Sequence, residues 1–248
     1  MAAWERAREP PLAEPIALFL DVDGTLIDIA PTPDAVHVSE ELLAALTQLS
    51  ARLGGALACI SGRAHVDLSR LVGSTGVALV GSHGAEMLRP AAPDPRIAQL
   101  AAQCVQALQP WPGALVEQKP CGLALHWRLA APAEAAIRVL GTQMERALAS
   151  HELKEGKKVL ELVPRAASKG SALRALMAQP PYRGRKPVFI GDDFTDISAM
   201  QAARALGGWA IAVGPRVAEH ADCVVDSPAR VLGWLQQQCK QAPMGPAA

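Results

Sequence analysis

The sequence predicts an α/β fold, with a Rossmann-like core of helices around a central parallel sheet and an inserted α+β cap domain. Short apolar runs alternate with amphipathic segments of helical period, as in right-handed βαβ units. This pattern stops near residue 87 and resumes after residue 163, so a second domain interrupts the first. We therefore predict a core formed by residues 1–86 and 164–248 and a cap formed by residues 87–163.

The first part of the core begins with Ile16–Leu20, a continuous apolar run typical of a strand that is buried on both faces. The run is followed by Asp21, which places this carboxylate at the carboxyl end of the strand. Ser39 precedes acidic residues and then apolar residues at helical spacing, so we expect it to cap a helix. The next predicted elements are a strand at 56–60, a helix at 64–72 and a strand at 77–80.

The predicted cap has a different pattern. In the segment 122–129, Leu123, Leu125 and Trp127 alternate with smaller or polar residues, which indicates an antiparallel strand with one face toward water. The other predicted elements are helices at 96–108 and 133–149 and a strand at 158–163. Together these elements give the cap its α+β character.

The core pattern returns after Pro164. Ser168 is expected to begin a helix, and the buried strand 188–190 ends at Gly191, directly before two aspartates. A helix that runs through Met200 and a strand at 210–213 follow. The second part of the core therefore continues the parallel sheet of the first part.

Composition excludes two classes of partner. Lys plus Arg and Asp plus Glu number 24 each, and 4% of the residues are aromatic. The chain lacks the basic surface and the stacking aromatics that nucleic-acid binding requires, and no apolar run approaches a membrane span. The five cysteines are scattered without a Cys-x-x-Cys pair, which favours reduced thiols and a cytoplasmic protein.

Polar side chains follow four of the predicted core strands. Because ligands bind outside the carboxyl ends of the strands in an open α/β sheet, we expect these side chains to converge on one site. They are Asp21 and Asp23, Ser61, His83, and Asp192 and Asp193.

Asp21 is the predicted nucleophile, because an aspartate is already ionised at neutral pH. It would approach a phosphate dianion, and two unit charges about 4 Å apart repel by roughly 4 kcal/mol at an effective dielectric constant of 20. The site therefore needs cations. Asp21 and Asp192 offer the oxygen ligands that Mg²⁺ prefers, and Lys169 supplies a second positive charge.

Asp23 is the predicted general acid and base. In its protonated form it would give a proton to the leaving oxygen, and once ionised it would deprotonate the water that releases the phosphate from Asp21. Ser61 and the glycine-bounded amides around it are placed to donate hydrogen bonds to the phosphoryl oxygens.

These motifs resemble two nested families. The haloacid-dehalogenase-like (HAD) superfamily has the same order of Asp21-x-Asp23-Gly24-Thr25, Ser61, Lys169 and Gly191-Asp192-Asp193-x-x-Asp196. Within that superfamily, the chain resembles the trehalose-6-phosphate phosphatases through Ser61-Gly62-Arg63, Gly81-x-His83-Gly84-x-Glu86, Glu117-x-Lys119 and Glu161-x-x-Pro164.

The resemblance implies a role for each matching residue. Asp21 is implied as the nucleophile, Asp23 as the acid and base, and Lys169 with Ser61 as phosphate partners. Mg²⁺ would be held by Asp21, Asp192 and the carbonyl of Asp23. The other implied substrate-binding residues are Gly62, Arg63, His83 and Glu86 in the core and Glu117, Lys119 and Glu161 in the cap, the last three toward the distal glucose.

Several of these positions also have a structural interpretation. His83 is as typical of a hydrogen-bonded structural histidine as of a ligand contact, Glu86 could hold the hinge to the cap, and Arg63 could be a surface charge. Charged residues in strands, such as those of the cap, usually mark a solvated face.

The sequence thus predicts hydrolysis of trehalose 6-phosphate, a small-molecule sugar phosphate, with Mg²⁺ as cofactor. Two alternatives stay open at this point: a HAD phosphatase for another glycosyl phosphate, such as glucosylglycerol phosphate or sucrose 6-phosphate, and a non-catalytic sugar-phosphate sensor. The complete set of catalytic residues favours an enzyme. We expect a monomer, and the sequence leaves a trehalose-phosphate synthase partner open.

Overall fold

The computed structural model describes residues 15–32, 35–89, 91–92 and 94–240. Seven strands in this part of the chain form the larger sheet: β1 (Ile16–Leu20), β2 (Leu57–Ile60), β3 (Ala78–Gly81), β4 (Glu86–Met87), β9 (Lys186–Gly191), β10 (Trp209–Val213) and β11 (Cys223–Val225). Their spatial order is β11-β10-β9-β1-β2-β3-β4. All neighbouring pairs are parallel except β3 and β4.

Five α-helices of the described residues share a hydrophobic cluster with this larger sheet: α1 (Glu40–Arg52), α2 (His65–Val72), α5 (Lys169–Met177), α6 (Ile197–Ala205) and α7 (Pro228–Cys239). As predicted, Ser39 caps α1, because its side chain accepts a hydrogen bond from Leu42 N at 3.2 Å. Ser168 caps α5 in the same way, through Ser171 N at 3.0 Å. This cap fixes the first turn of α5, where Lys169 lies.

The central strands are buried on both faces. All five residues of β1 are buried, and Phe19 of β1 and Phe189 of β9 are fully enclosed. Burial of one such side chain contributes about 2 kcal/mol relative to leaving it exposed. Because β1 lies between β9 and β2, the carboxyl ends of these three strands are held side by side.

A second sheet contains four antiparallel strands within the described residues: β5 (Leu115–Lys119), β6 (Gly122–His126), β7 (His151–Gly156) and β8 (Val159–Pro164), in the order β5-β6-β8-β7. Two helices, α3 (Pro95–Leu108) and α4 (Glu134–Ala147), share a hydrophobic cluster with it. Leu123, Leu125 and Trp127 belong to this cluster. Successive strand residues point to opposite faces, so Ala124 and His126 lie on the face away from the helices.

The predicted fold class is confirmed: a parallel α/β core is interrupted by an antiparallel α+β unit. The limits placed at residues 86 and 163 stay a prediction. The strand expected at 122–129 is shorter, because β6 ends at His126. Strands β4, β7 and β11 and helix α7 were not predicted from the sequence. Among the described residues, no helix combines the length and the apolar character needed to cross a membrane.

Candidate active site

The two sheets face each other across a cleft at the carboxyl ends of the core strands. The predicted site residues that line this cleft are Asp21, Asp23, Ser61, Gly62, Arg63, His83, Glu117, Lys119, Glu161, Lys169 and Asp192. Glu86 is the one predicted residue outside this lining. The larger sheet contributes the acidic residues that follow β1 and β9, and the smaller sheet contributes the charged residues of β5 and β8.

Lys169 joins two buried carboxylates at the base of the cleft. Its Nζ lies 2.6 Å from Asp21 Oδ1 and 2.6 Å from Asp196 Oδ1. Burial alone would lower the pKa of Lys169, but the charges of Asp196 and Asp21 raise it above its ordinary value. Burial, with the nearby Asp196, raises the pKa of Asp21. Lys169 therefore stays charged and opposes the repulsion at Asp21.

Asp21, Asp192 and Asp196 form a carboxylate cluster that could hold a metal ion. One oxygen of each lies within 4.8 Å of the others, and all three residues are buried. Asp192 Oδ1 is buried without a hydrogen-bond partner among the described residues. Burial raises the pKa of Asp192 to about 6. A hard divalent cation prefers such oxygen ligands and would relieve their mutual repulsion, so the residues fit Mg²⁺.

Asp196 supports this cluster through hydrogen bonds to the backbone of the loop that carries Asp192. Its Oδ2 accepts hydrogen bonds from Asp192 N and Asp193 N, both at 2.9 Å, while its Oδ1 accepts from Lys169. The carboxylate is 0% exposed and already satisfied on both oxygens. Asp196 thus fixes the loop after β9, which leaves Asp21 and Asp192 as the better-placed ligands.

Gly24 allows this close approach. Its φ is +86°, a left-handed conformation that favours glycine. A Cβ at this position would lie 2.3 Å from Asp192 Oδ2. The Gly24 of the Asp-x-Asp-Gly-Thr motif is therefore required by two independent constraints, its backbone conformation and the space taken by Asp192.

Asp23 is clamped by an arginine. Arg63 Nε and Nη2 donate to Asp23 Oδ2 and Oδ1, each at 2.7 Å, in the bidentate arrangement of a strong charge-assisted pair. Burial lowers the pKa of Arg63, but the hydrogen bonds and charge of Asp23 outweigh it and raise the pKa on balance. Arg63 N also donates to Ser61 Oγ at 3.2 Å. The predicted acid and base is thus held in a single orientation.

The cap residues converge because of strand register. Glu117 pairs with Ala124, and Ala124 pairs with Glu161, so both carboxylates lie in one row on the face away from the helices. Lys119 Nζ lies 2.5 Å from Glu161 Oε2 and donates to Gly62 O of the core at 2.8 Å. His126 Nε2 lies 2.8 Å from Glu117 Oε2.

His83 connects the core to this row. Its Nε2 lies 3.2 Å from Glu161 Oε1, and its backbone adopts a left-handed conformation with φ of 56°. Burial lowers the pKa of His83. Burial alone would raise the pKa of Glu161, but Lys119 and His83 hold this pKa well below its usual value. A Cβ at Gly62 would lie 2.7 Å from the His83 ring, so this contact needs a glycine there.

Glu86 has a structural position rather than a position in the cleft. Its Oε2 accepts from Ser82 Oγ at 2.6 Å and from His65 N at 3.0 Å, and its Oε1 accepts from Ala91 N at 3.0 Å. Both oxygens are therefore used to hold the chain where it leaves β3. These contacts agree with the hinge-holding interpretation of Glu86, and its expected substrate contact stays a prediction.

Four ionisable residues at the site were not among the predicted site residues: Asp196, His126, Arg128 and Lys157. The sequence contained a signal for His126, since it alternates with the apolar face of β6 and must lie beside Glu117. Arg128 Nη1 donates to Ala30 O and Nη2 to Lys157 O, the latter at 3.0 Å. Lys157 Nζ lies 2.5 Å from Asp192 Oδ2.

The sequence profile of the trehalose-phosphatase family matches residues 19–214. A probable trehalose-phosphate phosphatase of Sinorhizobium fredii is 40% identical over 208 residues, which cover 81% of this chain and 78% of that protein. The trehalose-6-phosphate phosphatase of Escherichia coli is 36% identical over 234 residues, which cover 92% of this chain and 88% of that protein.

Solved structures show the same fold. A trehalose-6-phosphate phosphatase related protein superposes with a TM-score of 0.77 at 23% identity, covering 90% of this chain and 96% of its own. A haloacid dehalogenase-like hydrolase from Bacteroides thetaiotaomicron superposes with a TM-score of 0.63 at 16% identity. The superposition covers 90% of this chain and 98% of that protein. The fold is thus shared with a haloacid dehalogenase-like hydrolase. The profile match and the two relatives show that the chain belongs to the trehalose-phosphatase family.

Proposed function

We propose that the protein hydrolyses trehalose 6-phosphate to trehalose and phosphate through a covalent aspartyl phosphate on Asp21. The observation that carries this proposal is the row of Glu117, Lys119 and Glu161 opposite the aspartates of the core, with Lys119 bound to Gly62 O across the cleft. A phosphate ester at Asp21 then has its sugar within a set of charged hydrogen-bond partners.

In the first half-reaction, a carboxylate oxygen of Asp21 attacks phosphorus and the bond from phosphorus to the sugar oxygen breaks. Asp23, protonated at this stage, gives its proton to the departing oxygen, so trehalose leaves as a neutral alcohol. Arg63 fixes the ionised form of Asp23 in a bidentate pair. Protonation of Asp23 weakens this pair and frees one carboxyl oxygen to donate to the leaving group. Lys169 and Ser61 donate to the phosphoryl oxygens, where charge is spread in the transition state.

In the second half-reaction, the ionised Asp23 takes a proton from a water molecule whose oxygen attacks phosphorus. The bond from phosphorus to Asp21 breaks, which regenerates the free carboxylate and releases phosphate. Asp23 is protonated again and is ready for the next ester. One carboxyl group therefore serves as acid and then as base.

Asp21, Asp192 and the carbonyl of Asp23 are the proposed Mg²⁺ ligands. Bound Mg²⁺ neutralises phosphoryl charge and so reduces the repulsion between the ester and Asp21. Support comes from the buried carboxylate cluster and from the unpartnered Asp192 Oδ1. We further propose that the enzyme acts in the cytoplasm, because all five of its cysteines are free thiols.

In the cap, Glu117 and Glu161 accept hydrogen bonds from the hydroxyls of the distal glucose. Lys119 donates a hydrogen bond to one of these hydroxyls. His83, with Gly62 beside it, sets the position of Glu161. These contacts distinguish trehalose 6-phosphate from esters with a different second ring. The rival glycosyl phosphates share the phosphoryl chemistry and differ at these cap contacts.

The test compares phosphate release from trehalose 6-phosphate, sucrose 6-phosphate, glucosylglycerol phosphate and glucose 6-phosphate at one Mg²⁺ concentration. We expect the largest kcat/KM for trehalose 6-phosphate. Equal values for all four would refute the assignment of the substrate. Binding of trehalose 6-phosphate without any phosphate release would favour the sensor alternative.

A further inference from the structure

Lys157 is a cap residue whose ammonium reaches the acidic cluster of the core. It lies in the turn between β7 and β8, and its Nζ is 2.5 Å from Asp192 Oδ2. The two partners differ in exposure, since the Lys157 side chain is 37% exposed and that of Asp192 is 2% exposed. The contact therefore joins a partly solvated cap side chain to a buried carboxylate across the cleft.

The backbone of this turn is held independently of that ion pair. Arg128 Nη2 donates to Lys157 O at 3.0 Å, and Arg128 Nη1 donates to Ala30 O in the core. The backbone at Gly156 also packs against the core, because a Cβ there would lie 3.3 Å from Asp193 Oδ2. The Lys157 side chain can thus exchange its partner while the turn stays in place.

Three other Lys and Arg side chains of the cleft have carboxylate partners that a metal ion at Asp192 would leave in place, while Arg128 donates to backbone carbonyls. Lys169 retains Asp196, Lys119 retains Glu161, and Arg63 is bidentate to Asp23. Lys157 differs, because its carboxylate is the proposed metal ligand Asp192 itself. A divalent cation on Asp192 would repel the ammonium and take its acceptor.

We propose that Lys157 binds a phosphoryl oxygen of the substrate once Asp192 has taken up the divalent cation. This inference rests on the proposed function, because it assumes a phosphate ester within reach of Asp21. Asp21 and Asp192 belong to one carboxylate cluster, so an ammonium that leaves Asp192 remains beside the attacked phosphorus. The cap thereby contributes one cation to phosphate binding, and before metal binding the same cation neutralises Asp192.

The test uses Lys157→Met, with Lys158→Met as the matched control and Lys157→Arg as the charge-preserving variant. Lys158 is the neighbouring turn residue and is exposed. Two calorimetric titrations are made on each protein, one with Mg²⁺ alone and one with inorganic phosphate added to the Mg²⁺-loaded protein. Neither titration needs trehalose 6-phosphate, so its outcome is independent of the substrate comparison above.

We expect Lys157→Met to bind Mg²⁺ more tightly than the unmodified protein, because the competitor for Asp192 is gone. The same variant should bind phosphate about 10- to 100-fold more weakly, the effect of losing one charge-assisted hydrogen bond. Lys157→Arg should retain most of the phosphate affinity, and Lys158→Met should match the unmodified protein in both titrations.

Unchanged phosphate affinity in Lys157→Met would overturn the proposal, even if Mg²⁺ bound more tightly, since Lys157 would then only shield Asp192. Weaker binding of both Mg²⁺ and phosphate would also overturn it, because that pattern indicates a disturbed site. An equal loss in Lys158→Met would assign the effect to the general charge of the turn.

Discussion

Lys169 shows how single residues adapt the site to an anionic nucleophile. Its ammonium lies between Asp21 and Asp196, so the nucleophile is paired with a cation before any metal or substrate binds. The position is unfavourable by local rules, because a lysine in the first turn of a helix faces the positive end of the helix dipole. Its two buried carboxylate partners provide the compensating interaction.

Gly24 yields the first prediction. Gly24→Ala should lower the affinity for Mg²⁺ by about 10- to 100-fold, because the new Cβ displaces Asp192. Gly207→Ala is the matched control, since Gly207 also has a positive φ, +76°, but no atom lies within 4 Å of the added Cβ. Both variants carry backbone strain, and calorimetry should show weaker Mg²⁺ binding in Gly24→Ala alone. Equal affinities in the two variants would contradict this explanation of Gly24.

His83 yields a prediction for pH. Burial lowers its pKa in the folded protein below the ordinary value of 6.5, so the unfolded chain takes up this proton first as the pH falls. The contribution of His83 to stability is therefore lost as the pH falls through about 6.5. His83→Asn should lose less stability between pH 7 and pH 5 than the unmodified protein, by urea unfolding at about 25 °C.

Asparagine is the replacement chosen at His83 because it tolerates the left-handed backbone found there. His37→Gln is the control, since His37 is exposed. An unchanged pH dependence in His83→Asn would show that the acid sensitivity has another origin.

At the scale of elements, the structure explains which parts of the fold the sequence could predict. The central strands were predicted because both of their faces are buried, as the apolar run Ile16–Leu20 shows. Strand β7 was missed because His151–Gly156 is an edge strand of mixed polarity, paired only with β8 within the described chain. Its conformation depends on hydrogen bonds from its neighbour, which sequence periodicity does not report.

The candidate site also contains residues that local sequence patterns predict and residues that they do not. Asp21, Ser61 and Asp192 were predicted together because the carboxyl ends of parallel strands meet at one edge. Lys157 and Arg128 were not predicted, because their contacts depend on how the cap faces the core. That orientation is a tertiary property with no local pattern in the sequence.

The row of charged cap residues, Glu117, Lys119 and Glu161, yields a prediction at the scale of elements. Glu117→Gln should lower kcat/KM for trehalose 6-phosphate by about 10- to 100-fold, since a charged hydrogen-bond acceptor for the distal glucose is lost. Hydrolysis of p-nitrophenyl phosphate, which has no sugar, should be unchanged. Glu155→Gln on the outer strand of the same sheet is the control, because Glu155 pairs with the exposed Arg138. A parallel loss on both esters would place Glu117 in the phosphoryl chemistry instead.

At the scale of the whole molecule, the core and the cap are joined by polar contacts on several sides of the cleft. The pairs are Lys119 with Gly62, His83 with Glu161, Lys157 with Asp192, Arg128 with Ala30 and Lys154 with Ala167. The hydrophobic clusters of the core and of the cap are separate. These polar contacts, rather than a shared hydrophobic core, therefore hold the two units together. Such contacts can open and close without unfolding either unit.

Arg128 is the residue with which to test this coupling. Arg128→Leu should speed amide hydrogen exchange in residues 28–32 and lower kcat/KM by about tenfold, because the cap loses its contact with Ala30 O. Arg138→Leu is the control, since Arg138 pairs with Glu134 and Glu155 on the exposed side of the cap. Unchanged exchange in Arg128→Leu would show that this contact does not hold the cap.

The central claim, that Asp21 attacks trehalose 6-phosphate, is tested most directly by Asp21→Asn. This variant preserves the shape of the side chain and removes its nucleophilic charge. Calorimetry should show that trehalose 6-phosphate still binds in the presence of Mg²⁺, while phosphate release falls by about four orders of magnitude or more. Substantial phosphate release by Asp21→Asn would contradict the aspartyl-phosphate mechanism.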